Sequence, residues 1–273
     1  MNSLKSELKN IVGTVVDRTF PTIANDIDAG GRGVGLSQLK SAVIHARLHH
    51  AKSRGDEAQI EKNLHAFWNS NISDGYYERT SFRYRDWFLG DHYPLAMHLV
   101  DHCAAHPVYT QMLEIGCGDG QVLNHYAKAL TRLERFTGID INPSIIEQNT
   151  ALYAHNPQMS FKSGNANVLL PELFSDGTIL STYGGVLEYF TRTEIEALLR
   201  QLRTHQNTGV ALVEPLDVDH DLDAGQTASR IYGAENSFSH HYPDILEQAG
   251  FTIDFAREIP IGIHRFILIF ARG

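Results

Sequence analysis

Glu114-Ile115-Gly116-Cys117-Gly118-Asp119-Gly120 joins an apolar run to a loop with glycine at every second position. Glycines at that spacing let the backbone turn sharply and approach a ligand with no Cβ in the way. A helix-like segment follows, carrying Val122, Leu123, Tyr126, Ala127 and Leu130. Twenty residues past Gly120 a second apolar run, Phe136-Thr137-Gly138-Ile139, ends in Asp140. A glycine loop with a distant acid is the layout of a nucleoside-binding βαβ unit, in which the acid hydrogen-bonds ribose hydroxyls.

The elements that must hold these residues are strands and helices in alternation. From about residue 91 onward, strands are predicted at 111–115, 135–139, 159–162, 178–182 and 209–213, with helices at 92–104, 121–132, 143–154, 191–205 and 241–249. Asn142 before Pro143 is a cap with proline in the first helical turn. Thr191 with Glu194 is a capping box, and Gly250 stands where a helix should stop. Such alternation implies a parallel sheet covered by helices on both faces. The rhythm then changes. Phe251–Ile259 and His264–Ala271 are strand-like runs joined by only Pro260-Ile261-Gly262-Ile263, which demands antiparallel pairing. Residues 1–90 read as helices and loops and form a helical extension; 91–273 form the α/β domain. Leu4, Leu8, Ile11, Val12 and Val15 share one helical face. Ser37 caps a second helix running to about Ser53, and Asp56 with Gln59 starts another. Gly30-Gly31-Arg32-Gly33-Val34-Gly35 looks like a phosphate loop but has no strand before it, so it reads as a linker.

Composition narrows the function. Of 273 residues, 42% are hydrophobic and 20% charged, as in an ordinary folded protein. The net charge is −9 and no lysine/arginine-rich run exists, so nucleic acid and anionic membrane surfaces are not the expected partners. The longest clean apolar run, Phe266–Ala271, is far too short to span a bilayer. Residues 1–10 lack the apolar centre of a signal peptide. The only two cysteines are Cys103 and Cys117, the second inside the glycine loop, where a structural disulfide is poorly placed. Together these features lead us to expect a cytoplasmic protein.

The loop spacing is G-x-G-x-G, whereas dinucleotide enzymes carry G-x-G-x-x-G. With Asp140 and the closing strand pair, residues 91–273 resemble the class I S-adenosylmethionine-dependent methyltransferases. Glu114 to Gly120 is similar to the family's first motif, and Asp140 to its acid after strand two. Ser163-Gly164-Asn165-Ala166 resembles the adenine-contacting segment, and Ser181 to Tyr189 the segment after strand four. The resemblance implies a Rossmann-like, seven-stranded, mostly parallel sheet with a C-terminal antiparallel hairpin. It also implies S-adenosyl-L-methionine as cofactor, with S-adenosyl-L-homocysteine as product. Glu114, Gly116, Cys117, Gly118 and Gly120 then lie along the methionine part. Asp140 accepts from the ribose, Ile141 packs on adenine, Asn165 accepts from the adenine amino group beside Ala166, and Tyr183 borders the cofactor. Where the family usually has Asp, this chain has Asn165, which can still accept through its side-chain oxygen.

Methyl transfer from a sulfonium is an in-line displacement, and alignment alone is worth roughly 7–11 kcal/mol. A base is needed only when the acceptor starts protonated. Candidates come from loops at the carboxyl ends of the strands. Tyr183, Glu188 and Tyr189 follow strand four; Glu214 and residues 215–241 follow strand five. His220, His240, His241 and His264 lie in or near these loops, and His240 and His241 lead as catalytic candidates because they precede the helix that closes the pocket in many relatives. The chain has 15 histidines, so each is weighed against a packed or solvated role. Asp217, Asp219, His220, Asp221 and Asp223 alternate oxygens, but the set reads as a solvated acidic loop and no metal is expected. Cys117 reads as a small packing residue. The aromatic and basic stretch 76–88, with Tyr76, Tyr77, Arg83, Tyr84 and Trp87, is either a lid contributing to the substrate site or a packing segment. No Asn-Pro-Pro-Tyr or Asp-Pro-Pro-Tyr follows strand four, which argues against methylation of base or glutamine amino groups. The expected activity is methylation of a small-molecule acceptor at oxygen or nitrogen, with a homodimer through the N-terminal helices as the expected assembly. The competing readings are a non-methylating enzyme with the same cofactor, a catalytically silent binding or regulatory module, and a nicotinamide-dependent oxidoreductase.

Overall fold

The computed structural model describes residues 2–29, 37–70, 73, 75–233 and 236–273. The glycine-rich segment 30–35, read above as a linker, lies outside the described residues. The chain divides into two units, Met1–Tyr76 with Ile231–Phe238, and Tyr77–Arg230 with Ser239–Gly273.

The first unit is helical: α1 (Asn2–Thr19), α2 (Pro21–Asp28), α3 (Ser37–Arg54) and α4 (Glu57–Asn69). Helix α1 can lie close against α3 because position 13 is glycine; a Cβ there would fall 1.9 Å from the Ala42 carbonyl oxygen. Arg47 of α3 reaches Asp17 at 2.7 Å and Asp28 at 2.9 Å, tying α1 and α2 to α3. Lys40, fully buried, is neutralised by Asp26 at 2.8 Å. Asp56 caps α4 through the Gln59 amide, as its position implies. The apolar row read on α1 faces outward: Leu8, Ile11, Val12 and Val15 are exposed, and the buried positions of α1 are Gly13 and Val16 instead.

The short helix α5 (Tyr76–Thr80) straddles the division, and the second unit goes on with π-helical turns at Tyr84–Asp91 that break at Gly90, and α6 (Tyr93–Ala105). The alternating α/β region follows: β1 (Gln111–Ile115), α7 (Gln121–Ala129), β2 (Arg135–Asp140), α8 (Pro143–Leu152), β3 (Met159–Ser163), α9 (Ala166–Leu173), β4 (Thr178–Tyr183), α10 (Arg192–Leu202) and β5 (Gly209–Leu216). Strands β6 (Arg230–Tyr232) and β7 (Ser237–Ser239), most of whose residues belong to the first unit, pair separately from the main sheet; α11 (Tyr242–Gln248), β8 (Thr252–Ile261) and β9 (His264–Arg272) end the chain.

The main sheet has seven strands in the order β3-β2-β1-β4-β5-β9-β8. The first five are parallel, while β9 runs antiparallel to both β5 and β8. Strand residues alternate between two cores. Met112, Phe136, Ile179, Val213 and Leu268 meet α6 and α7 through Leu95, Leu99, Leu123 and Tyr126. Leu113, Ile139, Leu180, Leu212 and Ile267 meet α9, α10 and α11 through Leu170, Leu198 and Ile245. The capping box at Thr191 and Glu194 is formed, Asn142 caps α8 ahead of Pro143, and Gly250 takes φ +86 after α11.

The division of the chain falls at 76/77 rather than near residue 90. The cause is Phe88, which is buried against Tyr126 and Tyr183 at 5.7 and 5.3 Å between ring centroids, so 84–91 belongs to the sheet unit. Helix α9 was not expected. Pro171 interrupts its pattern, and its start is set by Asn165, whose side chain accepts from the Asn167 amide at 2.8 Å.

Candidate functional site

Strand β1 pairs with β2 on one side and β4 on the other, so the chain leaves the sheet in opposite directions on either side of β1. A crevice opens outside the carboxyl ends of the strands at such a switch point. The glycine loop stands there. Gly116, Gly118 and Gly120 take φ of +64, +50 and +72, all left-handed. A Cβ on Gly116 would meet Val186 Cγ2 at 2.6 Å, and one on Gly120 would meet Tyr153 at 2.9 Å. These positions combine a conformation and a clearance that only glycine supplies.

Asp140 closes the loop from the end of β2. Its Oδ2 accepts from the Gly118 amide at 3.1 Å and its Oδ1 from the Asn142 amide at 2.9 Å. Helix α8 fixes the loop's far side: Asn149 Nδ2 donates to the Gly118 carbonyl at 2.7 Å, and the Tyr153 hydroxyl, just past its end, to the Asp119 carbonyl at 3.0 Å. Cys117 is buried and its thiol is pushed well above the ordinary range, first by burial and then by Asp140 and Glu114, which makes it a packing group.

Beneath the loop, Glu114 and Ser181 are paired across β1 and β4, so their side chains share a sheet face. They are 2% and 3% exposed. Glu114 Oε2 and Ser181 Oγ have no hydrogen-bond partner among the described residues. Burial, then Asp119 and Asp140, raise the Glu114 carboxyl well above the carboxylate range, against the opposing Leu123 amide. Two residues along β4, the Tyr183 hydroxyl donates to the Arg83 carbonyl at 3.2 Å and lies 3.2 Å from His92 Nδ1. That geometry makes His92 Nδ1 the donor to Tyr183 and leaves Nε2 a bare, buried lone pair without a partner among the described residues. Burial lowers His92 to about 4 and raises the Tyr183 phenol. Arg83 Nη1 donates to the Gly184 carbonyl at 3.3 Å, and its guanidinium lies 5.0 Å from the Trp87 ring centre.

The histidines after β5 are placed differently. His240 is fully buried; Nε2 donates to the Phe190 carbonyl at 3.0 Å and Nδ1 accepts from Ser229 Oγ at 2.7 Å. Burial holds it near 4. His241 caps α11, its Nδ1 accepting from the Asp244 amide at 3.1 Å while Nε2 donates to the Leu222 carbonyl at 3.1 Å. His220 is likewise fixed between Ser239 Oγ at 2.9 Å and the Gln226 carbonyl at 2.8 Å. Glu214 is fully buried and supports the turn after β4: it pairs with Thr182 Oγ1 at 2.5 Å and accepts from the Val186 and Leu187 amides at 3.0 and 3.1 Å. Burial nonetheless pushes it up to about 7.

The structure therefore brings together Glu114, Gly116, Gly118, Gly120, Asp140, Tyr183 and Arg83. Asn165 spends an oxygen lone pair on capping α9, with buried Ala166 as the helix's first residue, and half-buried Ile141 follows Asp140. Glu188 is buried against Gly185, where a Cβ would stand 2.4 Å from its Oε1. Tyr76 belongs to the other unit and packs edge-on against Trp68 at 4.8 Å; the side chain of Tyr77 lies outside the described residues. No three metal-ligating side chains converge among the described residues, and no described helix is long and apolar enough to cross a membrane. His92 and Ser181 were not singled out from sequence. The available signals were a histidine ahead of a helix-starting proline, Tyr93-Pro94, and hydroxyl residues inside an apolar strand.

Residues 112–209 match the family model described as a methyltransferase domain. No curated protein matches the chain. Among solved structures, magnesium protoporphyrin IX methyltransferase from Synechocystis, with S-adenosylhomocysteine bound, is 17% identical with a TM-score of 0.54, covering 78% of this chain and 100% of that one. A TehB-like S-adenosylmethionine-dependent methyltransferase from Corynebacterium glutamicum is 14% identical with a TM-score of 0.47, covering 72% and 98%. The match to a methyltransferase domain covers 112–209, and the seven-stranded sheet with its antiparallel closing pair has the Rossmann-like methyltransferase fold.

Proposed function

We propose that this protein moves a methyl group from S-adenosylmethionine to an oxygen or nitrogen of a small-molecule acceptor. The observation that carries the reading is the loop of three left-handed glycines at the β1/β4 switch point, held by Asp140 from β2. The residues present fit the cofactor: the left-handed glycines present bare backbone at the switch point, the Asp140 carboxylate stands at the end of β2 as an acceptor for ribose hydroxyls, and a buried Glu114 oxygen under the loop has no hydrogen-bond partner among the described residues. When bound, the cofactor supplies an electrophilic methyl on a good leaving group. The chain's task is then to orient and to exclude water. Tyr183 and Arg83 border the space for the acceptor, and Asn165 and Ile141 border the adenine. His240 and His241, with both ring nitrogens engaged, hold the segment after β5 in place. A small acceptor accords with the net charge of −9 and with the porphyrin substrate named for the Synechocystis protein. The exposed row Leu8, Ile11 and Val15 is the face a homodimer through α1 would use.

Calorimetry with S-adenosylmethionine and with NAD tests the cofactor, and transfer of a labelled methyl into a metabolite extract tests turnover. Binding of the first alone, with label incorporated, is expected. Binding without label would leave a silent module, and binding of NAD alone would overturn the reading. Asp140→Ala should weaken the cofactor by about 1–3 kcal/mol; unchanged affinity would remove Asp140 from the ribose site.

A further inference from the structure

His92 is a buried titratable group that the cofactor reading leaves unused. It is 1% exposed and stands at the start of α6. The Tyr183 hydroxyl donates to the Arg83 carbonyl and lies 3.2 Å from His92 Nδ1, so Nδ1 carries the ring proton and Nε2 a lone pair. That lone pair has no partner among the described residues. A bare buried nitrogen carries its full desolvation cost, and it persists where a donor arrives later. Its place is beside the crevice of the glycine loop. Tyr183 ends β4, the neighbour of β1, and shares a sheet face with Ser181 two residues earlier. The walls are aromatic: the rings of Phe266, Tyr183 and Trp87 centre 4.8, 5.6 and 6.3 Å from the imidazole. The charged groups that act on His92 are Asp91 and Arg83, and they act in opposite senses. Charge around the ring therefore selects neither an anion nor a cation, and the lone pair selects a neutral donor.

We infer that the acceptor is a neutral aromatic ring bearing a hydroxyl, that it packs against Trp87 and Phe266, and that its O–H donates to His92 Nε2. This rests on the cofactor reading given above and narrows its acceptor from oxygen or nitrogen to an aromatic hydroxyl. An anion would set its lone pairs against Nε2. An ammonium has no free pair for the methyl and would bring a second positive charge beside the sulfonium. An aromatic hydroxyl gives up its proton to a neutral imidazole more readily than an aliphatic one. Tyr183 fixes the imidazole through Nδ1, so the hydroxyl is aimed as it docks. The balance is as follows. The O–H bond breaks toward Nε2, the oxygen pair forms the O–CH3 bond, and the S–CH3 bond breaks with its pair going to sulfur. The imidazolium then passes the proton to solvent. One positive charge enters on the sulfonium and leaves as that proton. Trp87 belongs to the turns that break at Gly90, where φ −101 and ψ −112 leave the helical range, and entry to the buried ring is on that side.

The test uses the full chain saturated with S-adenosylhomocysteine, whose own binding is measured first. Phenol, anisole and benzylamine are then titrated at neutral pH; they share a ring and carry a hydroxyl, a methyl ether and an ammonium. Phenol should bind about fivefold more tightly than the other two, the worth of one hydrogen bond. In protein labelled with nitrogen-15 histidine, phenol should shift the Nε2 resonance that His92→Phe removes, and anisole should leave it in place. His92→Phe should bind phenol and anisole alike, with its affinity for S-adenosylhomocysteine kept. His92→Gln, whose amide oxygen reaches toward the place of Nε2, should keep part of the preference for phenol, which holds the test open if the Phe variant folds poorly. With S-adenosylmethionine instead, label should appear in anisole, and His92→Phe should lower kcat about a hundredfold or more. Absent or equal binding of phenol and anisole by the wild type overturns the inference. So does tighter binding of benzylamine, a His92 resonance indifferent to phenol, or an undiminished kcat in His92→Phe. No binding of S-adenosylhomocysteine by the wild type would instead overturn the cofactor reading itself.

Discussion

Two polar clusters flank the carboxyl ends of the same sheet, and they are built on opposite terms. After β5, His220, His240 and His241 each use both ring nitrogens, on hydroxyls, backbone carbonyls and a helix-cap amide. Under the loop after β1, Glu114, Ser181 and His92 each keep one buried atom without a partner among the described residues. The first arrangement is complete and fixes the course of a long connection. The second is incomplete, and each missing partner costs about 1–3 kcal/mol of desolvation. An incomplete network persists where something else completes it, which is why we propose the β1/β4 side rather than the histidine-rich side as the place of the chemistry.

The largest expected effect breaks the loop that the open cluster serves. Gly116→Val places a β-branched side chain at φ +64, against Val186. Left-handed strain of roughly 1–2 kcal/mol adds to overpacking of roughly 1–3 kcal/mol. Cofactor binding measured by calorimetry should be lost, with a lower thermal midpoint. Retained affinity would mean that the loop does not hold the cofactor.

Next in size is a challenge to the closed cluster. His240→Ala strands the Ser229 hydroxyl and the Phe190 carbonyl in a buried site and should lower unfolding free energy by about 2–4 kcal/mol in urea melts. Cofactor affinity of the folded fraction should change less than about threefold, well under 1.4 kcal/mol. A loss of methyl transfer far beyond the loss of folded protein would restore His240 as a catalytic group and collapse the contrast.

The difference between the clusters was hidden from sequence for a physical reason. The sheet was legible because each strand is a short apolar run ended by turn residues, so 111–115 and the others fall within one or two residues of their places, except that β5 runs on to Leu216. The hairpin followed from the shortness of its connection, and β8 and β9 close on Gly262 at φ +61. The glycine loop and Asp140 were legible because their spacing is local to one βαβ unit. Whether a histidine is satisfied depends on residues far along the chain: Phe190 for His240, Leu222 for His241, Tyr183 for His92. No local pattern encodes those partners. Position among 15 histidines therefore favoured His240 and His241 and passed over His92.

Acid titration sharpens the same contrast at smaller amplitude. His92 and His240 sit near 4 against an ordinary 6.5, so their stabilisation is intact above about 6.5 and is lost as pH falls toward 4. Glu214, raised from 4.5 to about 7, acts in the opposite sense: its contribution is present below 4.5 and is lost as pH rises toward 7. Between 4.5 and 6.5 the two trends oppose each other. Urea melts across that window should show Glu214→Gln gaining stability with pH more steeply than wild type, by about 1.4 kcal/mol per pH unit. Parallel profiles would place Glu214 as an ordinary ionised carboxylate.

The smallest effect separates the clusters by coupling rather than by loss. Tyr183→Phe keeps the ring against Phe88 and removes only the hydroxyl between Arg83 and His92. One net hydrogen bond is worth about 1 kcal/mol, so stability should fall by that order. In the open cluster His92 then has neither nitrogen paired, and replacing it with Phe as well removes an imidazole that no longer bonds to anything. The double variant should therefore lie above the sum of the singles by about 0.5–1 kcal/mol. The same cycle on Ser229→Ala and His240→Ala should couple less strongly per hydroxyl removed, because His240 keeps its bond to the Phe190 carbonyl when Ser229 is gone. Equal coupling in both cycles would mean that His92 has a second partner in solution, and the open side of the sheet would then be as complete as the closed one.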